Sequence, residues 1–320
     1  MKTSRTLPMT HQRQSARREW WKRVVKDFQR NKYLYAMLLP VIGYYALFHY
    51  VPMYGAQIAF RDYVPSRGIW DSQWIGFENF QYFFEGIYFW RLLRNTIAIN
   101  VLDIAFGFPA PILLAILLNE LTSTSFKRAV QTITYMPHFI SLVVVVGMVI
   151  EFLARDGLIN SMLGIFGIDA VQFLQRPEYY WYIYVGSEIW QSIGWGSIIY
   201  LAAITMVDPN LYDSAKVDGA GRLHQIFYIT IPSIMPTIII LLILRIGAMM
   251  TLGYEKTILL YNPLIYETAD VISSYVYRQG IVQADFGFSA AVGLFNSIIN
   301  FALLIAANRF SRRYAQTSLW

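Results

Sequence analysis

Six apolar runs, each close to the ~20 residues needed to cross a hydrocarbon core, alternate along the chain with polar connections. They cover approximately residues 34–53, 96–118, 130–150, 182–206, 232–253 and 290–307. A chain in lipid must satisfy its backbone N–H and C=O groups internally, so runs of this length predict an all-α membrane protein with six transmembrane helices. Residues 157–169, GLINSMLGIFGID, are apolar but too short to span, and are expected as a re-entrant or interfacial helix on the outer side. Pro109 and Pro111 are expected to kink the second run and Pro137 the third, each at a place where neighbouring helices or a water-lined cavity satisfy the freed backbone groups. Ahead of the runs, Trp20, Trp21, Val24, Val25 and Phe28 recur at helical spacing among Arg17, Arg18, Lys22, Arg23, Lys26 and Arg30. This is the pattern of a basic amphipathic helix in the membrane interface, held by apolar burial and anionic lipid. For residues 1–15 a frayed basic tail fits the sequence equally well.

Composition agrees with a bilayer: 56% hydrophobic and only 14% charged residues is too apolar for an ordinary soluble domain. With no Cys in the chain, disulfides and thiolate metal sites are excluded. The first 32 residues carry ten of the 26 Lys and Arg residues and lack an apolar core, which argues against a cleavable signal peptide. The net charge of +6 points to topology rather than to nucleic acid. With the N-terminus inside, the inner segments hold 17 Lys and Arg residues and the outer segments eight, with Arg245 left inside a span. By the positive-inside rule both termini and the polar connection after the fourth run are therefore expected in the cytoplasm. The expected organisation is a basic tail with an interfacial helix over residues 1–32, a six-helix transmembrane domain over 33–310, and a cytoplasmic tail over 311–320.

The connection after the fourth run, LYDSAKVDGAGRLHQIFYITIPSIMP over residues 211–236, is the one loop patterned like a docking surface. Asp218 and Gly219 divide it into two short helices, Asp218 as a cap for the second helix and Gly219 as the turn. Ile226, Phe227, Ile229 and Ile231 are candidate apolar anchors, and Pro232 and Pro236 sit where the next membrane helix should begin. This segment resembles the cytoplasmic signature of the permease subunits of bacterial ABC importers, which reads Glu-Ala-Ala, two residues, Asp-Gly-Ala, then Ile-x-Leu-Pro and a second Pro. Ala215, Asp218, Gly219, Ala220, Ile229, Pro232 and Pro236 occupy the signature positions without a shift. Asp213 stands for Glu, Ser214 for Ala and Ile231 for Leu, while the usual Phe position holds Ile226 with Phe227 beside it.

The resemblance implies the type I importer (MetI-like) permease fold, with residues 208–236 as the elbow that docks on an ATPase subunit. The expected coupling residues are Asp213, Ser214, Ala215, Asp218, Gly219, Ala220, Arg222, Phe227 and Pro232. The runs YVPMYGAQIAFRDY, WIGFENF, WGSIIYLAAI and LLYNPLIYETADVISSYVYRQGI further resemble permeases that import oligosaccharides, including the alginate importers, from about residue 30 to the end. The implied partners are a second homologous permease, two ATP-binding cassette subunits holding ATP and Mg, an external solute-binding protein, the lipid bilayer and an oligosaccharide. No cofactor is expected in this chain. The implied location is the inner membrane of a bacterium, and the implied mechanism is alternating access. The carried sugar is expected to be an oligosaccharide or polysaccharide, either acidic, such as alginate, or neutral.

Aromatic residues crowd the outer connections: Trp70, Trp74, Tyr82, Tyr88 and Trp90 before the second run, and Tyr261, Tyr266, Tyr275 and Tyr277 before the sixth. They fit an interfacial belt, a docking surface for a binding protein, or stacking platforms for sugar rings. Signs of catalysis are absent. No Lys follows a Gly, so a P-loop is excluded, and His11, His49, His138 and His224 pair with nothing at metal-ligand spacing. An intramembrane enzyme built on Asp103, Glu151 and His138 is the alternative from a different class, with no nucleophile to support it. The candidate pathway residues are Arg245, Asp103, Trp195 and Glu188. Arg245 lies 13 residues beyond Pro232, ~20 Å into its helix, and Asp103 lies 15 residues before Leu118, ~22 Å from the same side. Matching depths allow an ion pair that fixes packing, or an Arg245 that meets an anionic sugar.

Overall fold

The computed structural model describes residue 23, residues 26–315 and residues 317–319, so Trp20, Trp21, Val24 and Val25 of the expected interfacial helix lie outside the described residues. By contacts the chain divides into Met1–Gln57 and Ile58–Trp320. In the first unit residues 26–30 are helical and lead into α1 (Lys32–Tyr45), followed by a π turn over Ala46–Tyr50. Asp27 anchors this join, accepting from Asn31 Nδ2 at 2.8 Å and from the Tyr35 hydroxyl at 2.7 Å.

The second unit opens with a two-residue hairpin, β1 (Arg61–Asp62) antiparallel to β2 (Gln73–Trp74), and a short helix α2 (Glu78–Glu85). Then follow α3 (Phe89–Leu102), a π turn over Asp103–Gly107, α4 (Pro109–Glu120), α5 (Thr124–Tyr135), α6 (Leu142–Leu153) and α7 (Leu158–Ile165). The longest uninterrupted helices are α8 (Tyr180–Thr205) and, at the end of the chain, α15 (Phe286–Tyr314). Between them lie α9 (Pro209–Val217), α10 (Arg222–Gln225), α11 (Ile231–Gly247), α12 (Tyr254–Leu260), α13 (Tyr266–Ala269) and α14 (Ile272–Tyr277).

Four helical runs are long and apolar enough to cross a membrane: Lys32–Phe60, Phe89–Glu120, Arg222–Gly247 and Phe286–Arg313. Two bent pairs bring the number to six: Thr124–Phe139 with Leu142–Ile165, bent by 105°, and Pro177–Thr205 with Pro209–Val217, bent by 70°. The third apolar run is thus broken rather than kinked. Pro137 sits in a 3₁₀ turn (Met136–Phe139), and Ile140 and Ser141 are extended before α6 starts. The second and fifth runs, by contrast, pass their prolines without a break. The fifth span begins at Arg222, ten residues before Pro232, which corrects the expectation that the prolines mark its start. The expected tail over 311–320 is not separate either. Helix α15 runs on to Tyr314, Ser311 Oγ donates to the Thr317 carbonyl at 2.6 Å, and Leu319 N donates to Asn308 Oδ1 at 2.8 Å.

Three apolar clusters hold the second unit. Ala115, Ile116, Tyr200, Ile204 and Ile234 join α4, α8 and α11 at the elbow end. Ile99, Val146, Tyr184, Leu260 and Val271 join α3, α6 and α8 to the segment after α11. Phe83, Leu92, Met250, Ile272 and Val292 tie in α2 and α15. Close helix contact needs glycine at Gly194, where an added Cβ would overlap the Thr134 carbonyl of α5, and α8 can approach α5 only because that Cβ is missing.

Candidate functional site: a helical elbow and a charged cavity

Helices α9 and α10 form the elbow. Asp208 caps α9, its Oδ1 accepting from Asn210 N at 3.0 Å, with Pro209 in the first turn where no N–H is needed. Asp218 does not cap the second helix as expected: it ends α9 in right-handed geometry, and Gly221 occupies the N-cap position of α10 without a side-chain bond. The turn is a glycine C-cap, with Gly219 at φ +79°, Gly219 N donating to the Lys216 carbonyl at 3.0 Å and Ala220 N to the Ala215 carbonyl at 2.8 Å. The signature Ala215, Asp218, Gly219 and Ala220 are therefore the residues that make the bend. Gln225 Nε2 then donates to the Ala220 carbonyl at 2.8 Å, and the Tyr212 and Thr230 hydroxyls bond at 3.0 Å, bracing one arm against the other.

Ile226 and Ile231 pack on the core cluster of α4, α8 and α11, but Phe227 does not anchor the elbow: it is 62% exposed. Asp213, Ser214 and Arg222 are exposed as well, Asp213 in a surface pair with Lys216 at 3.0 Å. With Val217 (88% exposed) and Leu223 (71%), the elbow presents an exposed apolar rim around short polar side chains.

The second feature is a cavity of about 280 Å³ among α3, α8, α11 and α12. Asp103, Glu188, Arg245, Glu255 and Lys256 all line it, with Asn100 and Gln191. Asp103 is buried and Arg245 Nε donates to its Oδ2 at 2.7 Å, with Nη2 on the same oxygen. Arg245 Nη1 makes no hydrogen bond among the described residues, and its side chain is 48% exposed. The carboxylate is held by the π turn: Phe108 N donates to the Asp103 carbonyl at 2.8 Å, and Gly107 leaves room that any Cβ would take from Asp103 Oδ1.

Lys256 was invisible from the sequence, where it counts as an outer-loop charge. It is 3% exposed, donates to Glu188 Oε2 at 2.8 Å and to the Tyr184 carbonyl at 3.1 Å, and sits 4.7 Å from the centre of the Tyr184 ring. Burial pulls its ammonium below the usual lysine value, against the attraction of Glu188. Two ion pairs on facing elements thus make the cavity wall polar at moderate cost, since the buried Asp103 and Lys256 each have a counter-charge, while Glu255 is exposed.

Trp195 is not among the cavity residues. It stacks on His138 of the 3₁₀ turn Met136–Phe139, with ring centres 4.6 Å apart and planes at 4°. That leaves Asp103, His138 and Glu151 on separate sites, joined by no hydrogen bond or ring contact among the described residues, and no group of His, Asp and Glu there is arranged to hold a metal. A third cluster lies in the segment after α11. Asp270 is fully buried and accepts from Arg278 at 2.8 and 2.7 Å, Arg91 at 3.2 Å and Ser274 Oγ at 2.8 Å. Asn95 of α3 donates to the carbonyls of Glu267 and Asp270, which clamps the segment onto α3. The Arg278 guanidinium also lies 5.3–5.9 Å from the ring centres of Tyr261, Tyr266 and Tyr275, so these tyrosines pack on a cation.

Residues 107–316 match the family described as "Binding-protein-dependent transport system inner membrane component". The chain is 44% identical over 305 residues to the polygalacturonan/rhamnogalacturonan transport system permease protein YteP of Bacillus subtilis (strain 168), covering 95% of each chain. It is 42% identical to the protein LplB of the same organism, covering 91% of this chain and 92% of the relative. A permease chain in the crystal structure of a bacterial alginate ABC transporter, solved in complex with an alginate pentasaccharide-bound periplasmic protein, superposes with a TM-score of 0.86 at 45% identity, over 93% of this chain and all of that one. Elbow, span order and cavity thus have a common explanation: the chain belongs to the binding-protein-dependent transport system inner membrane components, as a non-catalytic permease subunit of an ABC importer.

Proposed function

We propose that the chain forms one half of the translocation pathway for an acidic oligosaccharide or polysaccharide, with the charged cavity as part of that pathway. The observation that carries this reading is Arg245. Its Nε and Nη2 are held by Asp103, which fixes the plane of the guanidinium, and its Nη1 is left for a carboxylate or hydroxyl in the cavity. Support comes from a relative described as a polygalacturonan/rhamnogalacturonan transport system permease and, among solved structures, from a transporter involved in the import of the acidic polysaccharide alginate at 46% identity. A neutral oligosaccharide is the second reading, favoured by the wall's own balance: Asp103, Glu188 and Glu255 outnumber Arg245 and Lys256.

In the assembly proposed here a second, homologous permease supplies the other half of the pathway. Two ATPase subunits holding ATP and Mg dock on the elbows, an external binding protein delivers the sugar, and both termini lie in the cytoplasm. Closure of the ATPases moves the elbow, and α8 and α11, which flank it in the chain, carry that motion to the cavity. The spans alternate between inward- and outward-facing states by rigid-body tilting.

The test is uptake by proteoliposomes containing the complete transporter, with an alginate or polygalacturonate oligomer and a neutral glucan oligomer of equal length. The expected result is uptake of the acidic sugar, reduced at least ten-fold by Arg245→Gln, the loss of one charge-assisted contact. Equal uptake of the neutral oligomer, unaffected by Arg245→Gln, would overturn the acidic assignment in favour of the second reading.

A further inference from the structure

An apolar groove of about 470 Å³ lies between α6, α7 and α8, and nothing in the transport reading uses it. We propose that it is a binding site for an anionic phospholipid, with one acyl chain in the groove and the phosphate at its rim. The floor is made by Tyr182, Ile183, Gly186, Ser187 and Trp190 of α8, while the charged cavity takes Tyr184, Val185, Glu188 and Gln191 from the same helix. At 100° per residue the two sets centre roughly 160° apart, so the groove opens on the side of α8 opposite the pathway. A membrane helix that turns one face to a polar pathway turns the other to lipid or to protein.

Three further observations favour lipid. The serine hydroxyl on the floor, Ser187 Oγ, is spent within α8, donating to the Ile183 carbonyl at 2.6 Å, which leaves the floor mostly apolar. The groove lies within ~15 Å of the end of α8 away from the elbow, which is acyl depth in one leaflet. Two arginines stand at the turns that close it. Arg155 lies between the lining residues Leu153 and Ile159, and Arg176 between Phe173 and Tyr179; both are exposed, and neither side chain makes a hydrogen bond or ion pair to a described residue. The two turns are tied together by Asn160, whose Nδ2 donates to the Ala154 carbonyl at 2.8 Å and to the Val171 carbonyl at 2.9 Å. An apolar slot whose bracketing turns each carry an arginine without an ion pair among the described residues is complementary to an acyl chain ending in a phosphate.

Native mass spectrometry of the complete transporter, equilibrated with either phosphatidylglycerol or phosphatidylcholine, tests the site. One phosphatidylglycerol per copy of this chain should survive, in preference to phosphatidylcholine. Gly186→Leu should abolish the retained lipid, because a Cβ at Gly186 meets no atom within 4 Å and the side chain enters the groove without moving α8. Arg155→Gln combined with Arg176→Gln should leave the slot open but cut the preference for phosphatidylglycerol roughly ten-fold or more. Equal retention by the Gly186→Leu and unsubstituted transporters would overturn the site, and equal retention of both lipids would overturn the headgroup assignment. Failure of Gly186→Leu to assemble with the other subunits would give the groove to a protein partner and overturn the proposal as well.

Discussion

At the scale of single residues, the charged cavity depends on where a few charges are allowed to sit. Asp103 is buried, and a lone carboxylate there would cost several kcal/mol, so its geometry is dictated by the Arg245 guanidinium. Arg245→Ala should therefore lower the stability of the purified complex by roughly 2–3 kcal/mol, read as a fall in its melting temperature. Adding Asp103→Ala should recover most of that loss by removing the stranded charge, while uptake of the acidic sugar stays impaired. A double variant no more stable than Arg245→Ala alone would show that the pair is not what holds α3 to α11. Gly107 is the quieter partner in this arrangement. Gly107→Ala brings a methyl group onto Asp103 Oδ1, so it should weaken the same pair and lower the melting temperature, an effect that Asp103→Ala should remove.

At the scale of elements, three prolines follow the same rule. Pro52, Pro109 and Pro232 each come two residues after a π turn, over Ala46–Tyr50, Asp103–Gly107 and Ile226–Thr230. A proline cannot donate to the carbonyl four residues back and its ring presses on it. One extra residue in the preceding turn shifts that carbonyl, and the helix continues. At Pro109 the same bulge contains Asp103, the partner of Arg245, so the turn that spares the helix also supplies part of the cavity wall. The elbow is the opposite case, a bend that must stay a bend. Gly219 adopts φ +79° with open space around its Cβ position, so Gly219→Val strains the backbone by about 1 kcal/mol or more without a clash. ATPase activity that continues while transport falls is the expected signature, measured on the same proteoliposomes; full transport would show that the elbow tolerates another path. In the segment after α11, Asp270→Ala leaves Arg278 and Arg91 without their shared carboxylate. Hydrogen exchange in α13 and α14 should quicken at least ten-fold, with the elbow unchanged.

At the scale of the whole molecule, orientation is the property that single-cysteine labelling can read, because the natural chain has no Cys. Asp71 and Arg222 are exposed, whereas Ser72 is 3% exposed and bonded to Gly68 and Val64, so it would label poorly for local reasons. Asp71→Cys should react with an impermeant thiol reagent in intact cells, and Arg222→Cys only after the membrane is opened. Reaction of Arg222→Cys from outside would reverse the assigned topology.

What the chain declares locally is what its sequence determined unaided. Span number and helical class follow from apolar run length, because lipid leaves the backbone no alternative to helices of that length. The bend of the elbow follows from Gly219, because a turn at positive φ is a property of a few adjacent residues, whereas the capping by Asp218 and the helix start at Pro232 that the spacing predicts are not what forms. Even the meeting of Arg245 and Asp103 was foreshadowed, since depth along a helix is counted in residues. Only the tertiary structure decided the rest. Lys256 and Asp270 look like surface charges in their connections, and are buried because residues 68 and 179 positions away supply Glu188 and Arg91. Trp195 shares α8 with the cavity residues, yet its ring lies on His138, since which face of a helix meets which neighbour is settled by packing. The 105° break after Pro137 and the unbroken passage through Pro109 come from the same residue type, and local sequence cannot tell them apart, because the outcome depends on which neighbours satisfy the freed backbone groups.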